Sequence, residues 1–344
     1  MLTSGATAGW HDEGPIKGPG FVIGRATNLG EPTWSDFDFW PLNTTLYVAD
    51  FHGNVPRWAF HLFESLDLTG YDSGSVQPML NRNYIAKLKV RVPPLHDQRA
   101  IAEVLGALDD KIAANTKLAG VLEELLDAEV ETRWLNRNDE RLDGNLISIL
   151  DLFEINPSVP RPREEVPLYL DMKKLPESGS GISDWEYRPA KGGTRFMQGD
   201  TLMARITPCL ENRKTGYVDF LERDQVGVGS TEFITLRSRQ GVPSQLSYFL
   251  AISADFRDFA IRHMVGTSGR QRVSSSDLST YQVPAPEPRW LEDLESRARS
   301  QFAFMKSLRD ENRTLAATRG ALLPQLMSGK LRVKDAERVM EGVL

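Results

Sequence analysis

Apolar residues recur at three- and four-residue steps in two long stretches of the chain and gather in short blocks elsewhere. In PPLHDQRAIAEVLGALDDKIAANTKLAGVLEELLDAE, residues 93–129, the residues Ile101, Leu105, Leu108, Ile112, Ala119, Leu122 and Leu126 fall on one stripe, the periodicity of a helix with one buried face. Pro93 and Pro94 cannot stand inside a helix and set its start. At 1.5 Å per residue the rod is about 45 Å long, and it far exceeds the mean globular helix of about 11 to 12 residues, which favours a spacer. A second stripe, Leu291, Leu294, Phe302, Met305, Leu308, Leu315 and Leu322, predicts another long helix. The two stripes bury most simply against each other as an antiparallel pair. The expected seam sets Leu105, Leu108, Ile112, Asn115, Leu122 and Leu126 against Met305, Leu308, Asn312, Leu315 and Leu322. Asn115 lies on the stripe itself, where a polar group facing another helix fixes register at some cost in stability.

The stretches outside the two rods repeat each other in order. GFVIGRATNL from Gly20 aligns with DTLMARITPCL from Asp200, pairing Val22 with Leu202, Ile23 with Met203, Arg25 with Arg205 and Thr27 with Thr207. NTTLYV (43–48) aligns with GSTEFI (229–234), RWAFHLFES with QLSYFLAIS, and DSGSVQPML with GTSGRQRVS. The exits KVRVPPL and QVPAPEP follow, and then NTKL (115–118) aligns with NRTL (312–315) inside the two rods. Each match alone is weak. Their conserved order and steadily widening spacing predict a tandem duplication of a mixed sheet domain followed by a long helix.

Composition narrows the class. With 344 residues, 40% hydrophobic and 26% charged, the chain has material for two or three domains with real cores. A single cysteine, Cys209, excludes a disulfide framework, and no paired Cys or His spacing suggests a zinc site. The N-terminus lacks a basic start followed by an apolar core and no apolar run is long enough to span a bilayer, so a cytoplasmic protein without a membrane partner is expected. The formal net charge of -6 is unevenly spread: residues 97–129 carry eight acids against Arg99, Lys111 and Lys117, while IRHMVGTSGRQRV (261–273) carries Arg262, Arg270 and Arg272 and no acid. Basic loops on an acidic frame suit phosphate contacts.

These features together resemble the specificity subunit of a type I DNA restriction-modification system. The resemblance rests on VPPLHDQRAIAEVLGALDDKIAANTKL with its long helix, on GTSGRQRV followed by the terminal helix ending ALLPQLMSGKLRV, on GDTLMARITPCLENRKTGYV with GVGSTEFITLR, and on LNRNYIAKLKVRVPPL. It implies an α+β chain with an internal tandem repeat: two mixed α/β target-recognition domains separated by an antiparallel pair of long coiled-coil-like helices. The implied domains are 1–92 (a partial first recognition domain), 93–140 (the central spacer helix), 141–286 (the second recognition domain) and 287–344 (the C-terminal spacer helix and tail). By the same alignment, the start of the second domain near Leu146 has its counterpart ahead of Met1, so the first domain is expected to lack its opening strands. A natural truncation, a misplaced start codon and a piece borrowed from a partner all remain open, self-association of the shortened chain among them.

The resemblance implies a non-catalytic subunit that reads a bipartite double-stranded DNA target and docks methylation and restriction subunits. S-adenosylmethionine, ATP and magnesium are then expected on those partners and no cofactor or metal on this chain. Asp109, Asp110, Glu123 and Glu124 are the expected docking acids. Base edges in the major groove are read by side chains while backbone amides, hydroxyls and cations hold the phosphates. The candidates are therefore Thr267, Ser268, Gly269, Arg270, Gln271 and Arg272, with Arg205, Thr207, Arg213 and Lys214 at a strand end. Their counterparts in the first domain are Arg25, Ser73, Gly74, Ser75, Asn81, Arg82 and Asn83. The competing reading of these residues is a tight loop whose arginines pair with nearby acids. No GxxxxGK[ST] loop is present, Asn156-Pro157 is followed by serine, and Asp184 and Glu186 lack the lysine a metal nuclease would add. An assembly protein whose duplicated domains do not read DNA is the other functional class, and a salt titration with duplex DNA separates the two.

Overall fold

The computed structural model describes residues 1–344 except 4, 27, 69, 74–78, 136–144, 190–191, 268, 341 and 343–344; of residues 6, 73 and 340 only the backbone is described. The chain divides into two compact units, one of Met1–Ala114 with Asn312–Leu344 and one of Asn115–Glu311. Two helices, Leu95–Val130 and Pro288–Met327, each contribute to both units.

In the first unit the strand Gly20–Gly24 lies between Pro32–Ser35 and Thr45–Tyr47 in an antiparallel sheet. Its side chains alternate between faces, as a period of two requires. Phe21 and Ile23 pack with Phe60, Leu68 and Leu80, whereas Val22 packs with Leu2 and Phe39. Phe60 belongs to the helix Pro56–Ser65; Pro56 suits the first turn of that helix because the amide it lacks would have had no partner there. The strands Leu2–Thr3 and Ala6–Thr7 pair antiparallel, Leu2 bridges Pro41 in parallel, and Ile16 bridges Phe39 antiparallel. A second cluster joins Trp58 to Ile101, Leu105, Leu108, Leu315, Leu322 and Leu326 of the two long helices. Within this unit the helices run antiparallel: Asp109 pairs with Arg319, and Ile112, one turn on, accepts from Asn312 Nδ2 at 3.3 Å.

The second unit holds a four-stranded antiparallel sheet in the order Thr215–Tyr217, Thr201–Ala204, Phe233–Ser238, Phe153–Ile155. A second sheet has the order Glu186–Tyr187, Leu168–Leu170, Gly227–Gly229, Thr194–Phe196. Gly227 is required by close packing, since a Cβ there would stand 2.3 Å from the Phe196 ring. Across the first sheet Asp200, fully buried, accepts two bonds from Arg237 at 2.7 and 2.8 Å. The long helices pack on this unit through Leu126, Val130, Leu294, Phe302 and Met305. They are antiparallel here too: Asn115 Nδ2 donates to Glu311 at 2.7 Å, while Glu129 accepts from Arg297 at 2.5 and 2.6 Å and from the Trp290 indole at 3.0 Å. Leu308 is buried, and Ile112 and Leu122 are half-buried.

One register occurs in both units. Val22, Ile23 and Gly24 stand opposite Tyr47, Leu46 and Thr45, and Leu202, Met203 and Ala204 stand opposite Thr235, Ile234 and Phe233. Ile16 with Phe39 likewise has the place of Phe196 with Gly227, and Leu2 with Pro41 that of Leu170 with Gly229. The sheet therefore sets Leu46 against Ile234, two residues away from the alignment of NTTLYV with GSTEFI. A two-residue slip leaves every side chain on the same face, so the alternation of apolar residues could not expose it.

Candidate nucleic-acid interface

In the second unit the two groups of candidates come together. Val265 and Arg272 exchange backbone bonds at 2.9 and 3.0 Å and close a loop over 266–271. Gly266 has φ 139°, and a Cβ on it would meet the Arg270 carbonyl oxygen at 2.9 Å, so the turn depends on glycine there. The loop is fastened to the end of the strand Thr201–Ala204 by three bonds. Val273 N donates to Arg205 O at 3.0 Å, Thr207 N to Gln271 O at 3.1 Å, and Gln271 N to the Thr207 hydroxyl at 3.2 Å. Thr267, Gly269 and Arg270 are exposed, and Arg205, Thr207, Arg213, Gln271 and Arg272 are half-buried. Ser268 lies outside the described residues.

The cations here divide into braces and free heads. Arg272 clasps Glu232 through Nε at 2.9 and 3.0 Å and through Nη2 at 2.7 Å, and this guanidinium holds the Glu232 carboxyl below its ordinary range. Lys214 Nζ donates to the Met172 and Leu175 carbonyls, both at 3.3 Å, with Glu177 3.7 Å away. Arg213 adopts φ 62° and lies near Asp127, whose carboxyl is pushed up by burial against the pull of Arg213. Arg257, which the sequence did not single out, donates to the Glu211 carbonyl at 2.9 Å and pins the turn after Pro208. Arg270 carries no salt bridge among the described residues. Neither Glu232 nor Arg257 stands near its partner in sequence; the pairing of Phe233 with Ala204 and the bond from Arg205 N to Glu232 O set Glu232 beside the strand end.

The first unit repeats the frame. Arg25 N donates to Thr44 O at 2.9 Å and Leu80 N to Arg25 O at 2.8 Å, as Arg205 N does to Glu232 O and Val273 N to Arg205 O. Arg25, Asn81, Arg82 and Asn83 line one concavity of about 430 Å³ together with Leu46, Met79 and Leu80. Asn81 uses its side-chain oxygen to cap the helix Arg82–Ile85, accepting from Asn83 N at 3.0 Å. Arg82 and Asn83 are exposed. The backbone of Ser73 pairs with Met79; Gly74 and Ser75 lie outside the described residues.

The four acids chosen for docking have different surroundings. Asp109 pairs with Arg319 and stands 3.5 Å from Arg57, and Glu123 accepts from Ser180 N at 2.8 Å, Ser180 Oγ at 2.7 Å and Tyr248 OH at 2.7 Å. Both act inside the chain. Asp110, with a side chain 76% exposed and 3.1 Å from Arg57, and Glu124 point outward. Beside Glu124 lies an apolar stripe outside the expected seam: Leu118, Val121 and Leu125 are 42%, 42% and 61% exposed. Among the described residues no group of three His, Cys, Asp or Glu could hold a metal ion, and no helix is long and apolar enough to cross a membrane.

Residues 13–124 match the family model of the type I restriction modification DNA specificity domain. The specificity subunit of the type I restriction enzyme EcoEI of Escherichia coli is 30% identical over 146 residues, covering 41% of this chain and 24% of that protein. That of EcoAI, also of Escherichia coli, is 24% identical over 195 residues, covering 55% and 33%. The matched stretches thus span a third or less of these curated relatives. Among solved structures, the S subunit of a type I restriction-modification system from M. genitalium superposes with a TM-score of 0.59 at 14% identity, over 94% of this chain and 86% of that one, and so has the same fold. Residues 13–124 are thus similar to the type I restriction modification DNA specificity domain, and the chain is similar in sequence to parts of two type I restriction enzyme specificity subunits.

Proposed function

We propose that this chain is the non-catalytic, sequence-reading subunit of a type I restriction-modification complex and recognises a split duplex target, one half with residues 1–92 and the other with residues 141–286. The observation that carries the reading is the fastening of each candidate loop to a strand-end arginine, Arg205 in one unit and Arg25 in the other, by matching backbone bonds. Such a frame presents side chains to base edges from a rigid base, and rigid placement is what discrimination in a groove needs. Arg270, Thr267 and Gln271 read or grip the duplex in the second unit, and Arg82 and Asn83 in the first. Ser268, Ser73, Gly74 and Ser75 belong to the same loops by sequence. Arg272 and Lys214 hold the frame.

The segments 93–140 and 287–344 serve as the spacer and the docking surface for methylation subunits, and the restriction subunit joins through them. S-adenosylmethionine, ATP and magnesium are used by those partners. The exposed stripe Leu118, Val121 and Leu125 with the outward acid Glu124 supports a helical partner face here. Fluorescence anisotropy of the reconstituted complex on duplexes that vary one half-site at a time tests the reading. Binding that prefers one bipartite sequence and falls steeply with salt supports it, whereas equal binding to all duplexes refutes it.

A further inference from the structure

Val265 gives the second unit its backbone and leaves its side chain in solvent. Its N and O exchange bonds with Arg272 at 2.9 and 3.0 Å, yet the side chain is 75% exposed, more than any other large apolar side chain described in that unit. A lone surface valine is ordinary, but this one has fixed surroundings. Arg272 stands opposite Val265 on one side and opposite Ile206 on the other, both antiparallel, and residues directly opposite in a ladder put their side chains on one face. Val265, Arg272 and Ile206 thus form a row, apolar, cationic, apolar, whose guanidinium Glu232 holds in place at 2.7 Å. A β-branched side chain on a paired backbone has little rotamer freedom left to lose on contact.

Two features direct that row toward a nucleic-acid groove. Val265 adjoins the loop of Thr267, Gly269 and Arg270, all exposed, and residues 261–273 contain three arginines and no acid. A valine is short, so it touches a ligand only where the main chain comes close; Gly266 and Gly269, at φ 139° and 76°, keep the loop free of bulk beside it. The first unit has an apolar residue at the same place in the frame. Leu80 N donates to Arg25 O as Val273 N does to Arg205 O, so Met79 takes the place of Arg272, and its partner Ser73 that of Val265. Met79 lines the concavity that holds Arg25, Asn81, Arg82 and Asn83. The bridge pair at the loop mouth therefore carries one apolar side chain in each unit, on opposite members of the pair, within a matching set of backbone bonds.

We propose that Val265 is a specificity-determining residue that packs on the C5-methyl group of a thymine in the major groove, beside the bases or phosphates that Arg270 engages. That methyl is the apolar feature of a base-pair edge in this groove, and an apolar side chain gains by covering it. The inference rests on the duplex-reading function proposed above and adds to it the chemical group that is read.

The probe is a set of duplexes built on the sequence that the reconstituted complex selects from a random library. Each thymine is replaced in turn by deoxyuridine, which keeps every hydrogen-bonding group and loses only the methyl, and binding is followed by fluorescence anisotropy. One replacement should weaken binding by about fourfold, the worth of one buried methyl. Val265→Ser should bind the thymine duplex more weakly than the parent and the two duplexes equally, Val265→Ile should keep the preference, and both variants should melt with the parent. The proposal falls if no thymine of the selected sequence is sensitive to loss of its methyl, or if Val265→Ser keeps that sensitivity. It falls too if Val265→Ser binds DNA as the parent does but no longer assembles with a methylation subunit, which would give the valine a protein partner. A complex with no preferred duplex would overturn the duplex-reading function and this inference with it; a preferred duplex bound without regard to methyls overturns this inference alone.

Discussion

A guanidinium that reads a base must arrive at the groove without a competing carboxylate, and this separates Arg270 from Arg272. Arg272 is paired with Glu232 at 2.7 Å, so Arg272→Ala is expected to loosen the loop and weaken binding to every sequence alike. Arg270→Ala is expected to cost about 1 to 3 kcal/mol on the cognate half-site through loss of a bidentate base contact, relaxing specificity there. Anisotropy on single-substituted duplexes checks both; equal losses on cognate and non-cognate DNA for Arg270→Ala would remove it from the reading set. The same division separates the acids. Charge reversal at Asp109 or Glu123 would break bonds within the chain, whereas Glu124→Lys with Leu125→Asp leaves the fold alone and should abolish co-purification with a methylation subunit. Glu129 adds a pH dependence. The hydrogen bonds from Arg297 depress its carboxyl below the ordinary glutamate value, so the unfolded chain binds the proton more readily. Its contribution to stability is full above that ordinary value and is lost as pH falls through the depressed one. Melting temperatures measured across this acid range should drop less in Glu129→Gln than in the parent.

Among the elements, the two long helices were legible because their stripes persist over many turns, and the short strands were legible mainly through their repetition. The seam follows from Leu105, Leu108, Leu315 and Leu322, all buried in one cluster. Leu108→Ala is expected to cost about 2 to 5 kcal/mol, read as a shifted chemical denaturation midpoint. What the sequence concealed were relations between distant residues. The slip of the strand Thr45–Tyr47 kept the same face inward and so left no trace in the pattern. Lys214 and Arg272 looked like ligand cations because their acceptors, two carbonyls near residue 173 and Glu232, are far from them in sequence. Leu118, Val121 and Leu125 were lost within a rod already assigned one buried face, since a second apolar face has the same spacing rotated about the axis.

For the molecule as a whole, charge and architecture pull in different directions. A net charge of -6 repels a polyanion at long range, so the proposed binding to DNA would rely on the few local cations and should weaken sharply between low and physiological salt. Recognition of the candidate sites was partial for a related reason: residue types named the loops, but only the folded chain reveals which cations are already neutralised at home. Among the described residues, the bonds that fasten each loop to its strand end involve no side chain except the Thr207 hydroxyl. Scaffold and alphabet are thereby uncoupled: mutation can rewrite the letters at 267–271 or 82–83 while the type case stays intact. On the proposed reading, a lineage carrying such a chain could change the word it recognises in a few substitutions and never pass through a misfolded ancestor.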